Sequence, residues 1–245
     1  MPPLTDHLLD RAAMVAALRA RIARLERPAA PAQDDAIPLA PAIDAALPWG
    51  GLARAGMHEI LSADPGAAGG FCALILARAA ANGRGPVLWI APEPEAWPPG
   101  LARYGLSPAD LILVRAPRPE DGLWAMEETL RCTAVAAALL ALREIDLTAA
   151  RRLQLAAEAG GALGLLLRPD AENPAPTAAL TRWRVTAIAG TSRNAHDLGD
   201  PRWRLDLLRC RAGRPSSWTV TWRASTDSLS TEDASDPSAR EQVPA

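Results

Sequence analysis

MHEILSADPGAAGGFCALILARAAA, residues 57–81, decides how the whole chain is read. Met57 to Leu61 suit a short strand, a Gly/Ala-rich turn follows, and Phe71 to Ala81 are helix formers. Strand, small-residue loop and helix are the layout of a phosphate-binding P-loop. That loop needs the pattern G-x-x-x-x-G-K-[ST]: backbone N–H groups cradle phosphate, the Lys ammonium offsets its charge, and the hydroxyl holds magnesium. With Gly66 inside the loop and Gly69 as its second glycine, Gly70 stands where Lys belongs and Phe71 where the hydroxyl belongs. Asp64 adds negative charge. All 26 basic residues of the chain are Arg, so no ammonium side chain exists to supply the missing one. The stretch therefore reads as a strand-to-helix turn with at most weak anion attraction by its N–H groups, and no cofactor is expected.

Working outward, the chain of 245 residues suits one α/β domain with flexible ends. Leu8, Val15, Leu18, Ile22 and Leu25 lie on one stripe of a helix expected within residues 1–27, with Arg11, Arg19, Arg21 and Arg24 on its other sides. Residues 28–42, rich in Pro and small residues, read as a linker without regular structure. Residues 43–223 read as the domain. Strands are expected at 87–91, 111–114, 134–140 and 162–167, and helices at 97–104, 122–131 and 148–159. This alternation implies a mainly parallel sheet flanked by helices.

The last third changes character. Trp183 alternates with Arg182 and Arg184, and Trp203 with Arg202 and Arg204, as in antiparallel strands with an apolar inner face and an Arg-rich outer one. Arg182, Arg184, Arg202 and Arg204 are thus candidates for a phosphate- or protein-facing surface, against the plainer reading of a solvated sheet face. Residues 224–245 read as a disordered acidic tail. A basic segment beside an acidic one suggests either an anionic partner or masking of one by the other.

Cys72, Cys132 and Cys210 are isolated and suit a reducing cytoplasm. His7, His58 and His196 are scattered and read as structural. No signal segment or membrane-length apolar run is legible, which leads to the expectation of a cytoplasmic protein.

The segments around the loop carry a resemblance. Ile43-Asp44, Leu47, Gly50-Gly51-Leu52, Gly56 and Glu59-Ile60 resemble the lead-in to the P-loop of RecA-type recombinases. Trp89-Ile90-Ala91-Pro92-Glu93 is similar to the strand that ends in that family's catalytic glutamate, and Glu93 matches it. Ala141 stands where the magnesium-associated aspartate should close a strand. The DNA-gripping loops look shortened, to Leu142–Thr148 and Arg168–Thr177. The resemblance thus implies a RecA-like P-loop NTPase-type core with degenerate Walker motifs.

Leu147 to Glu158, Leu180 to Val185 and Pro201 to Arg211 followed by Gly213-Arg214-Pro215 resemble the ImuA family, RecA-related proteins of damage-inducible mutagenesis cassettes. Membership implies a non-catalytic accessory role in SOS-induced, error-prone translesion synthesis. The partners implied are RecA, the polymerase-like ImuB and an error-prone replicative-type polymerase, with nucleoid association during DNA damage and weak or indirect contact with DNA. Leu8, Val15, Leu18, Ile22 and Leu25 would then dock on a filament end or on a second copy, or pack within the molecule. Two other readings stay open: a weak ATPase that uses Glu93, and a cell-division inhibitor of the SulA type.

Overall fold

The computed structural model describes residues 36–81, 84–190 and 199–232. The expected N-terminal helix, with Leu8, Val15, Leu18, Ile22 and Leu25, lies outside the described residues, as do His7 and His196.

A nine-stranded sheet organises the molecule. In chain order its strands are β3 (Gly56–Ser62), β4 (Val87–Ala91), β5 (Leu111–Arg115), β6 (Ala137–Ala141), β7 (Leu163–Pro169), β8 (Thr181–Ile188), β9 (Arg202–Cys210), β10 (Ser216–Arg223) and β11 (Ser228–Thr231). Across the sheet they run β11-β10-β9-β8-β3-β7-β6-β4-β5. The half from β8 to β5 is parallel, and β8 to β11 pair antiparallel. Both the α/β class and the switch to antiparallel strands at the C-terminal end follow the sequence pattern. The parallel strands are apolar runs because helices cover both faces.

Helix α2 (Pro65–Ala80) covers one face; α4 (Pro119–Arg131) and α5 (Leu147–Gly160) cover the other, and a short α3 (Pro98–Ala102) lies between β4 and β5 in the chain. α2 is apolar on nearly every side, with Phe71, Cys72, Leu74, Ile75 and Leu76 buried, because it is enclosed on more than one side. The residues that enclose it come in part from the expected linker. Ile37, Leu39, Ile43, Leu47 and Leu52 belong to the same apolar cluster. Ala36–Ile37 forms β1, paired antiparallel with β2 (Leu52–Ala53), and Pro41–Asp44 forms the short helix α1. The domain thus begins at least as early as Ala36, not Ile43: a two-residue strand and a Pro-initiated turn of helix are compatible with a proline-rich composition.

The tail is corrected in the same way. Ser228–Thr231 adds a strand to β10 and buries Leu229, so regular structure continues past Arg223. A four-residue strand needs only one buried side chain when its partner strand is already in place.

Candidate functional site

Open parallel sheets bind ligands at the carboxyl ends of their strands. In this molecule that edge carries Ser62, Ala91 and Ala141, followed by the start of α2. The loop expected between Ser62 and Gly70 is almost all helix: α2 starts at Pro65, six residues before Phe71. Asp64 is the N-cap, and its Oδ1 accepts from Gly66 N at 2.9 Å and Ala67 N at 3.1 Å. Pro65 at the first helical position needs no partner for a missing N–H. The N–H groups that would have cradled phosphate are thus taken by a carboxylate of the chain itself. The two N–H groups of Gly66 and Ala67, on which weak anion attraction was expected, are occupied by Asp64.

The space beside Gly70 is filled as well. A Cβ on Gly70 would lie 2.7 Å from both Cζ and Oη of Tyr104 and 3.2 Å from Trp203. Any side chain at position 70 would have to displace the Tyr104 ring. Phe71, at the hydroxyl position, is fully buried and packs its ring 5.9 Å from Trp203 and 6.5 Å from Trp183. Tyr104 in turn lies 5.9 Å from Trp203 and 6.4 Å from Trp222, whose Nε1 donates to Arg103 O at 2.9 Å. The chain's single Phe and single Tyr thus join Trp183, Trp203 and Trp222 in one aromatic cluster beside the start of α2.

What remains open is a cleft of about 640 Å³ walled by Trp89, Trp97, Tyr104 and Trp222 and floored by Gly66 and Gly69. Glu93, Glu95 and Arg103 stand on its lining, and Ala141 closes its inner end without a carboxylate. Glu93 is 78% exposed and meets Arg115 at 3.6 Å. Among the described residues no group of three or more His, Cys, Asp or Glu could hold a metal ion.

Of the four arginines expected to face outward, Arg182 points elsewhere. Arg182 is buried: its Nε donates to Glu59 Oε2 at 2.6 Å, and Arg168 Nη1 donates to Glu59 Oε1 at 2.6 Å. Both faces of β8 are covered beside β3, so period-two alternation places Arg182 inside rather than out. Its guanidinium also binds the carbonyls of Pro174 and Ala175, while Arg184 pairs with Asp170 at 2.9 Å. These arginines tie down Arg168–Thr177, the segment expected as a reduced DNA loop. Arg202 forms a two-pronged pair with Glu232 and donates to Ala189 O. Masking of basic strands by the acidic segment is therefore realised at this contact. Arg204 pairs with Asp206 and stays 60% exposed. Trp183, Trp203 and Trp222 face the core as the alternation requires. On α5, Arg152 pairs with the buried carboxylate of Glu127 across the α4–α5 seam.

His58 is a structural residue, as expected. Its Nδ1 meets Thr181 Oγ1 at 2.7 Å and its Nε2 meets Ala53 O at 2.8 Å. Since Ala53 O can only accept, Nε2 carries the proton. Thr181 Oγ1 also accepts from Trp183 Nε1, so its hydroxyl donates to Nδ1. Complete burial lowers the His58 pKa to about 4, with the Ala53 hydrogen bond opposing.

Fold and site together define an α/β protein with a mixed parallel and antiparallel sheet flanked by helices. No family model matches the chain. It is 38% identical over 195 residues to protein ImuA of Caulobacter vibrioides, in strain NA1000 / CB15N and equally in strain ATCC 19089 / CIP 103742 / CB 15, a match covering 74% of this chain and 80% of that protein. The chain belongs to the ImuA family.

Proposed function

We propose that this protein is a non-catalytic accessory of SOS-induced, error-prone translesion synthesis, working through contacts with RecA, an ImuB-type polymerase-like protein and an error-prone replicative-type polymerase. The observation that carries the non-catalytic part is the Asp64 cap combined with the Tyr104 ring against Gly70. Together they remove both the cradle and the counter-charge that phosphoryl transfer requires. Family membership supports the setting, and a RecA-like ancestry of the sheet accounts for the layout at the strand ends.

The reading is tested by affinity capture of the tagged chain from DNA-damaged cells, with mass spectrometry of what is retained. RecA, the polymerase-like protein and the polymerase are expected at mild salt; recovery of none of them overturns the reading. Recovery of the division GTPase alone favours the SulA-type alternative. The ATPase alternative is tested directly: magnesium-dependent ATP turnover that falls in Glu93→Gln would establish it, and none is expected, because Glu93 faces an aromatic cleft and the exposed Arg115.

A further inference from the structure

The β9–β10 hairpin turns at the opposite end of the sheet from Ser62, Ala91 and Ala141: β9 ends at Cys210, opposite Thr181, the first residue of β8, which lies beside His58 near the start of β3. The stretch from Leu207 to Thr226 carries Arg209, Arg211 and Arg214 around this turn and contains no acid. Elsewhere in the sheet the arginines meet carboxylates: Arg168 and Arg182 share Glu59, Arg184 has Asp170, Arg202 has Glu232 and Arg204 has Asp206. Arg209 and Arg211 meet only backbone, donating to Ala179 O at 2.6 Å and to Ala178 O at 3.3 Å. Arg214 is exposed, and among the described residues its side chain has no hydrogen bond or ion pair. The acids of the flanking segments do not pair with these three: Glu172 is exposed, Glu158 accepts from Gln154 Nε2 at 2.8 Å, and Asp206 is taken by Arg204 and Ser217.

A bulge aims the first of them. Trp203, Leu205 and Leu207 alternate into the core, and unbroken alternation would carry Arg209 in after them. Leu208 is instead an extra residue, facing the step from Arg182 to Trp183, so Arg209 lands directly opposite Arg182 and stays exposed. Bulges that re-aim a side chain accompany functional sites. Like charges thus stand across the strand pair, an unfavourable arrangement, and Glu59 already serves two other guanidinium groups.

The turn itself is held in shape. Ala212 has φ 61°, left-handed backbone that a residue with a side chain adopts only where its surroundings impose it. Gly213 shows what imposes it: a Cβ there would lie 2.6 Å from Cys210 Sγ and 3.4 Å from Pro48 Cδ, so the turn is seated directly on both. A guanidinium has five N–H donors, and Arg209 and Arg211 each spend one on backbone. The rest are open to an anion from outside the molecule.

The surroundings favour a nucleic acid over an acidic protein. Protein contacts bury an apolar centre, whereas nucleic-acid contacts are polar and strongly positive. Every exposed large apolar side chain among the described residues, from Trp97 to Leu155, lies outside β8, β9, β10 and the turn. Trp218, on β10, packs 6.0 Å from Trp183 rather than standing free to stack on a base. We propose that this turn binds the phosphate backbone of a nucleic acid, with Arg209, Arg211 and Arg214 each pairing with a phosphate and none reading a base.

Fluorescence anisotropy of labelled oligo(dT) titrated with the full chain tests this. Three phosphates neutralised on a single strand give a slope of about −2 in log affinity against log salt concentration. The triple variant Arg209→Ala/Arg211→Ala/Arg214→Ala should lose affinity about tenfold at low salt and flatten the slope. Arg214→Glu, at a side chain with no partner to lose, should weaken binding about threefold and keeps the test decisive should the triple variant unfold. Arg118→Ala, which removes an exposed arginine of the α4 start, should leave affinity and slope unchanged. No binding at low salt, or wild-type affinity in Arg214→Glu, overturns the proposal. An equal loss in Arg118→Ala overturns it as well, since the attraction is then that of overall charge. Binding of polyglutamate as tight, charge for charge, as that of oligo(dT) also overturns it, by making the turn a receptor for acidic polypeptide.

Discussion

Gly70 shows how one residue closes a site. Its missing side chain lets the Tyr104 ring pack where a Cβ would be, so the glycine serves packing rather than backbone flexibility. Gly70→Ala is expected to cost about 1–3 kcal/mol, the usual range for overpacking a core. In a double-mutant cycle the cost should shrink when Tyr104 is also cut to Ala. Thermal or urea unfolding measures both; an additive pair would mean that the ring is not what the methyl meets.

His58 also acts at this scale. Its folded pKa is about 4 against an ordinary 6.5, so the neutral form belongs to the folded state. Its contribution is fully present above pH 6.5 and is lost as pH falls toward about 4, because the unfolded chain takes up the proton first. The loss amounts to about 3 kcal/mol. Urea midpoints should therefore fall over this window in the wild-type chain and more shallowly in His58→Gln. Equal slopes would show that His58 does not titrate there.

At the scale of elements, α2 depends on its cap and β8 on its buried ions. Asp64→Ala leaves the N–H groups of Gly66 and Ala67 without their side-chain acceptor and should cost about 1 kcal/mol. It should not restore ATP binding, since Gly70 and Phe71 are unchanged. Titration with ATP and magnesium checks this, and saturable binding would show that the cap alone keeps nucleotide out. Glu59→Gln strands the guanidinium groups of Arg168 and Arg182, 11% and 9% exposed, and should cost about 3–5 kcal/mol. The loss should appear in denaturant unfolding and should loosen Arg168–Thr177, which Arg182 and Arg184 hold. An undisturbed loop by hydrogen exchange would contradict that coupling.

For the whole molecule, the described surface bears on partner binding. At β5, an edge strand of the sheet, Ile112 and Leu113 are exposed, and Trp124, Leu147 and Leu155 stand out on α4 and α5. Charge reversal at Arg204, the most exposed of the four arginines expected to face a partner, should weaken capture of an anionic partner. Reversal at Arg182 should instead unfold the β3–β8 region. Parallel capture and melting assays separate the two effects.

The linear chain by itself determined the alternation of strands and helices, the turn to antiparallel Arg-Trp strands, and the absence of Lys, hydroxyl and acid at positions 70, 71 and 141. These depend on residue identity and short-range periodicity, which need no folding to be read. Even the start of α2 was legible in Asp64-Pro65, an N-cap followed by the residue most at home in a first turn. Only the tertiary structure decided that Tyr104 occupies the space at Gly70, that Asp64 binds the N–H groups of Gly66 and Ala67, and that Arg182 turns inward to Glu59. The first and third join residues distant in sequence, and the third depends on which face of a strand is covered. Alternation along one strand gives two faces, but only neighbouring strands and helices decide whether the second face meets water.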